Sequence, residues 1–96
     1  FDSALKADFA FVDFFAEWCM PCVMMSPVID EVSVKKDMKK VHFVKVNVDD
    51  FGELAEKFGV MSIPNMIILK KGKEVGRIVG GVSAEALEEK IKSCMK

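Results

Sequence analysis

Two cysteines three positions apart, Cys19 and Cys22, lie where the hydrophobic pattern of the chain changes. The run before them, residues 10–15, is apolar at successive positions except Asp13, which is typical of a strand buried on both faces. The run that begins at Pro21 has apolar residues at helical spacing. A buried strand that leads directly into a helix predicts an α/β fold, with both thiols at the junction.

The position of the two cysteines favours thiol chemistry. A helix that begins near Cys19 keeps the first thiol at its N-terminus and carries Cys22 one turn inward. Unpaired N–H groups and the helix dipole favour negative charge there, so they stabilise a Cys19 thiolate. Pro21 suits the first turn, where its missing N–H costs nothing. Because a thiolate attacks disulfides and a second thiol one turn away can complete the exchange, the motif predicts a redox site.

Length and charge exclude several classes of protein. The 96 residues, 51% of them hydrophobic, suit one domain over residues 1–96. A net charge of −1 and a single arginine, Arg77, argue against nucleic-acid binding. No apolar run reaches the roughly 18–20 residues of a membrane span. Three cysteines leave one unpaired in any intramolecular scheme, which favours a reducing, cytoplasmic environment.

The remaining pattern predicts a mixed sheet with helices on both faces. The other strands are expected at residues 41–48, 66–69 and 74–79, and further helices at residues 1–7, 50–58 and 84–95. Asp50 and Glu53 resemble a capping box for a helix with an apolar stripe at Phe51, Leu54, Ala55 and Phe58. Ser83 is expected to cap the last helix, whose core face is Leu87, Ile91, Cys94 and Met95. Residues 35–40 are expected to be a charged break, and Pro27 should bend the helix around it.

At these residues the sequence resembles the thioredoxin family over nearly its whole length. Four motifs carry the resemblance in order: residues 12–22 (VDFFAEWCMPC), Pro27, Ile63-Pro64 and residues 79–81 (VGG). The resemblance implies an α/β thioredoxin fold, a mixed central sheet between helices, with the family's first strand missing or truncated. The sequence departs from the common family pattern at Met20, Val23 and Asn65, where glycine, lysine and threonine are frequent.

The resemblance implies a protein-disulfide reductase. Cys19 would be the exposed attacking thiol and Cys22 the buried resolving thiol, with no cofactor beyond this redox-active pair. The implied partners are proteins with disulfides and, as electron donor, a flavin-dependent thioredoxin reductase; we expect a monomer. Because the residues between the cysteines influence redox potential, Met20 leaves open an isomerase or oxidant of the same fold. A non-catalytic protein-binding module that uses the groove around Trp18 is a further alternative.

Asp13 is the second residue that the pattern singles out for chemistry. A carboxylate among phenylalanine and valine is costly to bury ionised, so Asp13 should have a raised pKa, a partner, or a route to water at a strand edge. The resemblance implies a buried acid beneath Cys22 that takes its proton, with Lys45 as the paired lysine. Lys45, on an alternating strand, could equally face solvent.

The resemblance also implies a substrate groove around the cysteines. Pro64 would form a cis peptide beside them, and the backbone of Ile63 would pair with an extended substrate segment. The expected groove residues are Trp18, Met20, Pro21, Val60, Met61, Ile63, Pro64 and Gly80. A metal site is not expected, because one CxxC supplies two ligands where structural zinc takes four and the only histidine, His42, is on another strand. Cys94 is expected to be an inert, buried thiol.

Overall fold

The apolar run that precedes the cysteines forms β1 (Phe9–Phe15), a central strand of a four-stranded sheet in the computed structural model, which describes residues 1–96. The other strands are β2 (Val41–Asn47), β3 (Asn65–Lys70) and β4 (Lys73–Val79), in the spatial order β2-β1-β3-β4. β1 runs parallel to β2 and antiparallel to β3, and β3 and β4 form an antiparallel hairpin. The predicted mixed sheet is therefore confirmed.

Four helices cover the two faces of this sheet. They are α1 (Asp2–Lys6), α2 (Met20–Ser33), α3 (Gly52–Lys57) and α4 (Ala84–Cys94). Alternate residues of β1 and β3 point to opposite faces. Phe11 and Ile68 pack with Ile29 of α2 and Ile91 of α4 in one core. On the other face, the second core contains Val12, Phe14, Ile67, Leu69, Ala4 of α1 and Ala55 of α3. Both cores lie directly beneath the helices, as expected for an α/β fold.

One local prediction is confirmed by the structure. The hydroxyl of Ser83 accepts a hydrogen bond from the N–H of Ala86 at 3.2 Å and so caps α4. Gly59 follows α3 with a φ of +67°, a conformation that favours glycine. None of the helices is both long and apolar enough to cross a bilayer.

The capping box predicted at Asp50 is wrong. The N–H groups of Asp50 and Phe51 both donate to the Asn47 carbonyl, so the chain is still turning there. The helix begins one residue later, with Phe51 at the N-cap and no side-chain cap hydrogen bond. In this position the Phe51 ring points outward and is 57% exposed, so it is not part of the buried stripe.

Two other regions also differ from expectation. The charged break contains a short 3₁₀ turn, Lys36–Met38, which places Met38 in the core beside Val41. At the end of α4, Cys94 and Met95 are only half-buried because this turn of the helix lies at the margin of the core.

Candidate functional site

Cys19 and Cys22 form a disulfide at the N-terminus of α2, with their Cα atoms 5.2 Å apart. Cys19 is the N-cap residue in an extended conformation, and its Sγ accepts a hydrogen bond from the Cys22 N–H at 3.3 Å. Pro21 lies in the first turn, and no acidic side chain is present there. The Cys22 N–H of the first turn therefore donates to the Cys19 sulfur with no carboxylate competing for it.

The expected difference in exposure between the two cysteines is not present in the disulfide form. Each cysteine is 5% exposed. Cys19 packs in a small cluster with Ala16 and Ile63, and its Sγ lies 3.8 Å from the Ile63 carbonyl oxygen. The loop before β3 thus covers Cys19, which was expected to be exposed.

The loop that covers Cys19 has the expected proline geometry. The Ile63–Pro64 peptide is cis, and the Pro64 carbonyl accepts a hydrogen bond from the Gly80 N–H at 2.9 Å. Gly80 has a φ of +91°, which a residue with a Cβ rarely adopts. Asn65 follows as a buried residue whose Oδ1 lacks a hydrogen-bond partner. The hydrogen bond from Gly80 to Pro64 brings the end of β4 against the loop that contains Pro64.

Exposed apolar side chains surround the disulfide. Trp18 is 71% exposed, and its indole N–H donates to Asp49 Oδ2 at 2.9 Å. Met20 is 66% exposed and Met61 is 95% exposed. One groove of about 390 Å³ is lined by Trp18, Val48, Ala55, Val60, Met61, Ser62 and Ile63. A second, of about 580 Å³, is lined by Met20, Pro21, Met24, Met25, Val28, Gly81, Val82 and Ser83.

The second groove includes residues that the sequence pattern did not indicate. Met24 and Val82 line it beside Met20. Met24 lies off the apolar stripe of α2 formed by Met25, Ile29 and Val32, and this offset was the available signal that its side chain is exposed. Asp49, the partner of Trp18, had no such signal because the contact joins two distant segments.

Asp13 lies in a cleft of about 490 Å³ that also contains Cys22 and Ser26. Asp13 is 3% exposed, and its Oδ1 has no hydrogen-bond partner. Burial raises the pKa of its carboxyl to about 6, although the positive charge of Lys45 opposes this rise. The alternative in which Asp13 reaches water at a strand edge is therefore wrong, because β1 is a central strand.

Lys45 faces Asp13 across the parallel pair of β1 and β2 but forms no ion pair with it. Its Nζ donates instead to Ser26 Oγ at 3.1 Å and to Asp30 Oδ1 at 3.4 Å. The Lys45 side chain is 42% exposed, so both expectations for this residue are partly met. It is solvent-accessible at its tip, and its charge acts on Asp13 across space rather than through a direct bond.

The remaining candidate residues lie away from this site. Cys94 is a free, half-buried thiol whose Sγ lies 3.7 Å from the Val75 carbonyl, so the expectation of a buried thiol is only partly met. The ring Nε2 of His42 lies 3.1 Å from Ser3 Oγ, which ties β2 to α1. No three His, Cys, Asp or Glu side chains are grouped so that they could hold a metal ion.

A disulfide at a helix N-terminus, above a buried acid in a mixed sheet, defines a thiol–disulfide oxidoreductase of α/β fold. Comparison with known proteins agrees with this class. The family model described as Thioredoxin matches residues 1–93. The chain is 46% identical over 80 residues to a thioredoxin from Chlamydia caviae, covering 83% of this chain and 76% of that protein.

Solved structures give the same result. The crystal structure of a thioredoxin from Nicotiana alata superposes with a TM-score of 0.84 at 43% identity, covering 96% of this chain and 78% of that one. A chain solved in work on the thiol-resolving mechanism of yeast mitochondrial 1-Cys peroxiredoxin via glutathione and thioredoxin systems has a TM-score of 0.85 at 33% identity, covering 95% and 84%. The chain belongs to the thioredoxin family. It is a protein-disulfide reductase that acts by thiol–disulfide exchange through Cys19 and Cys22.

Proposed function

We propose that Cys19 is the attacking thiol and Cys22 the resolving thiol. The Cys19 thiolate attacks one sulfur of a substrate disulfide, and the other substrate sulfur leaves as a thiolate and takes a proton from solvent. Cys22 then loses its proton and attacks the Cys19 sulfur, which releases the second substrate thiolate and leaves the Cys19–Cys22 disulfide. The position of Cys19 at the N-cap of α2 is the observation that carries this assignment, because the helix N-terminus stabilises its thiolate.

Asp13 is the proton acceptor for Cys22 in this proposal. Both residues line the same cleft, so a proton can pass between them directly or through a water molecule. A carboxyl with a pKa of about 6 is ionised for most molecules near neutral pH, yet it is basic enough to accept a proton. Lys45 supports the ionised form electrostatically. Its loss is therefore expected to slow resolution less than loss of Asp13.

Substrates bind over the disulfide in the grooves that flank it. The loop of Ile63 and Pro64 presents backbone to an extended substrate segment, in the manner of strand addition. Gly80 has no side chain to obstruct this approach, and the space that a Cβ would occupy is open. The proposed contact residues are Trp18, Met20, Pro21, Val60, Met61, Ile63, Pro64 and Gly80.

The proposed partners are proteins that carry accessible disulfides, and the proposed electron donor is a flavin-dependent thioredoxin reductase. No bound cofactor is required, since the electron pair resides in the two cysteines. Because a structurally similar chain was solved in work on a 1-Cys peroxiredoxin and the glutathione/thioredoxin systems, peroxiredoxins are one substrate class to test. We propose that residues 1–96 act as a monomeric electron carrier in the cytoplasm, where the free Cys94 would stay reduced.

Reduction of a model protein disulfide by three single variants tests the assignment of the cysteines. Cys19→Ser is expected to abolish the reaction, because no thiolate remains at the helix N-terminus. Cys22→Ser is expected to accumulate the Cys19–substrate mixed disulfide, which a non-reducing gel detects. Cys94→Ser is the matched control and should retain the wild-type rate. Full activity of the Cys19→Ser variant would overturn the proposal.

Equilibration in glutathione buffers tests the direction of the reaction. The fluorescence of Trp18, which neighbours the disulfide, reports the fraction oxidised. A pair that remains oxidised until the buffer is strongly reducing belongs to a good electron donor. A pair already reduced in mildly oxidising buffer would instead favour the isomerase or oxidant, and Met20→Gly would show whether Met20 is the cause.

A further inference from the structure

The Lys45 ammonium is bonded to α2 rather than to the acid that it faces. Lys45 and Asp13 are register partners on adjacent parallel strands, and both line the cleft beside Cys22. The two hydrogen bonds of the ammonium go to Ser26 and Asp30. Asp13 Oδ1 is left without any partner. A buried acceptor beside an available donor is unusual, because an unsatisfied buried oxygen is costly.

We propose that Ser26 and Asp30 are positioning residues that hold the Lys45 ammonium at the rim of the cleft, away from the Asp13 carboxyl. This inference rests on the proposed function, in which Asp13 receives the proton of Cys22. With the ammonium held at the rim, the carboxyl keeps a higher proton affinity than a direct ion pair would allow. Ser26 and Asp30 thereby adjust the base without touching the reacting sulfur.

The geometry of α2 explains why these two residues act together. Ser26 and Asp30 are four positions apart, so their side chains lie on the same helix face in consecutive turns. Pro27 lies between them, and a proline at this position leaves one helix carbonyl without its usual N–H donor. Ser26 is half-buried in the cleft, whereas the Asp30 side chain is 68% exposed. Ser26 therefore supplies a neutral hydroxyl acceptor and Asp30 supplies the charge.

Few other charged groups face Asp13. From β2 the only one is Lys45, and from the segment before α2 the exposed Glu17 lines the same cleft. α2 contributes Cys22, which does not titrate in the disulfide form. β3 places the apolar Met66 opposite Asp13 in register. The position of the Lys45 ammonium is thus the main adjustable electrostatic influence on the Asp13 carboxyl.

A ¹³C NMR titration of the Asp13 carboxyl in the oxidised protein tests the inference without any catalytic assay. Variants Ser26→Ala and Asp30→Asn, alone and together, release Lys45. The apparent pKa of Asp13 is expected to fall by roughly 0.5–1 in the double variant, because an opposite charge that moves closer favours the ionised form. Asp37→Asn is the control, since it removes an equal charge from the Lys92–Asp37 ion pair on another surface.

A Lys45→Met background separates positioning from a direct effect of the Asp30 charge. If Asp30 acts through Lys45, the pKa of Asp13 does not change when Asp30→Asn is added to this background. An equal fall with and without Lys45, or no fall in the double variant, overturns the inference. The proposed function has an independent test, because Asp13→Asn should slow mixed-disulfide resolution whatever the titration shows.

Discussion

Replacing Asp13 by asparagine tests the energetic cost of placing an ionisable group in the middle of the sheet. Asp13 is 3% exposed, and burial raises the pKa of its carboxyl from 3.8 to about 6. The folded state therefore binds this proton more tightly than the unfolded chain does. Between these two pKa values the folded state holds more protons, so the contribution of Asp13 to stability decreases as the pH rises.

The magnitude follows from the difference in pKa. The pKa of Asp13 differs by about two units between the unfolded and folded states. At about 1.4 kcal/mol per pKa unit, this difference corresponds to about 3 kcal/mol of destabilisation above pH 6. Asparagine has nearly the shape of the protonated acid and carries no charge at any pH. The stability of Asp13→Asn relative to the wild type should therefore increase by about 2.5 kcal/mol between pH 4 and pH 8.

Urea unfolding of the oxidised proteins, followed by far-ultraviolet circular dichroism at several pH values, measures this difference. Comparing each variant with the wild type at every pH cancels the titration of all other groups. Asp50→Asn is the matched control, because Asp50 is exposed and forms no ion pair, and its curve should parallel the wild type. A constant difference between Asp13→Asn and the wild type from pH 4 to pH 8 would refute the reasoning.

Three further substitutions have expected effects on stability, each measurable by denaturant unfolding. Ser83→Ala removes the N-cap hydrogen bond of α4 and should cost about 1 kcal/mol, whereas Ser83→Asp should retain most of it. Gly76→Ala places a Cβ against the Cys94 Sγ and should cost roughly 1–3 kcal/mol, and adding Cys94→Ala should recover much of this loss; no recovery would mean that the strain lies elsewhere. Arg77→Lys removes the hydrogen bonds that the guanidinium donates to the carbonyls of Phe58 and Gly59 after α3, and it should lower the free energy of unfolding by about 1 kcal/mol. If Arg77→Lys lowers the free energy of unfolding less than Arg77→Met does, the positive charge contributes to stability as well.

Much of the site could be read from local pattern. Residues 10–15 are too apolar for a strand with one solvent-exposed face, so β1 was expected to be buried on both faces. The helix after it begins near Cys19 and has Pro21 in its first turn, which predicts where the first thiol lies relative to the helix N-terminus. A lone carboxyl within the apolar run predicts a perturbed acid. These inferences need only neighbouring residues, and they identified Cys19, Cys22 and Asp13.

Contacts between distant segments could not be predicted in the same way. The pattern allowed Lys45 either to pair with Asp13 or to face solvent, and only the packing of α2 against β2 shows that its ammonium reaches Ser26 and Asp30. The covering of Cys19 by the Ile63 loop, and the bond from Trp18 to Asp49, are likewise properties of the assembled chain.

The order of elements, the buried strand, the redox motif and the acid beside it all follow from the amino-acid sequence. Hydrophobic periodicity and helix-capping residues depend only on neighbouring positions, so they can be identified from the sequence. Which donor meets which acceptor, and the covering of Cys19 by the Ile63 loop, depend on the tertiary structure. Such choices depend on distances of a few ångströms between residues far apart in the chain, and periodicity carries no information about them.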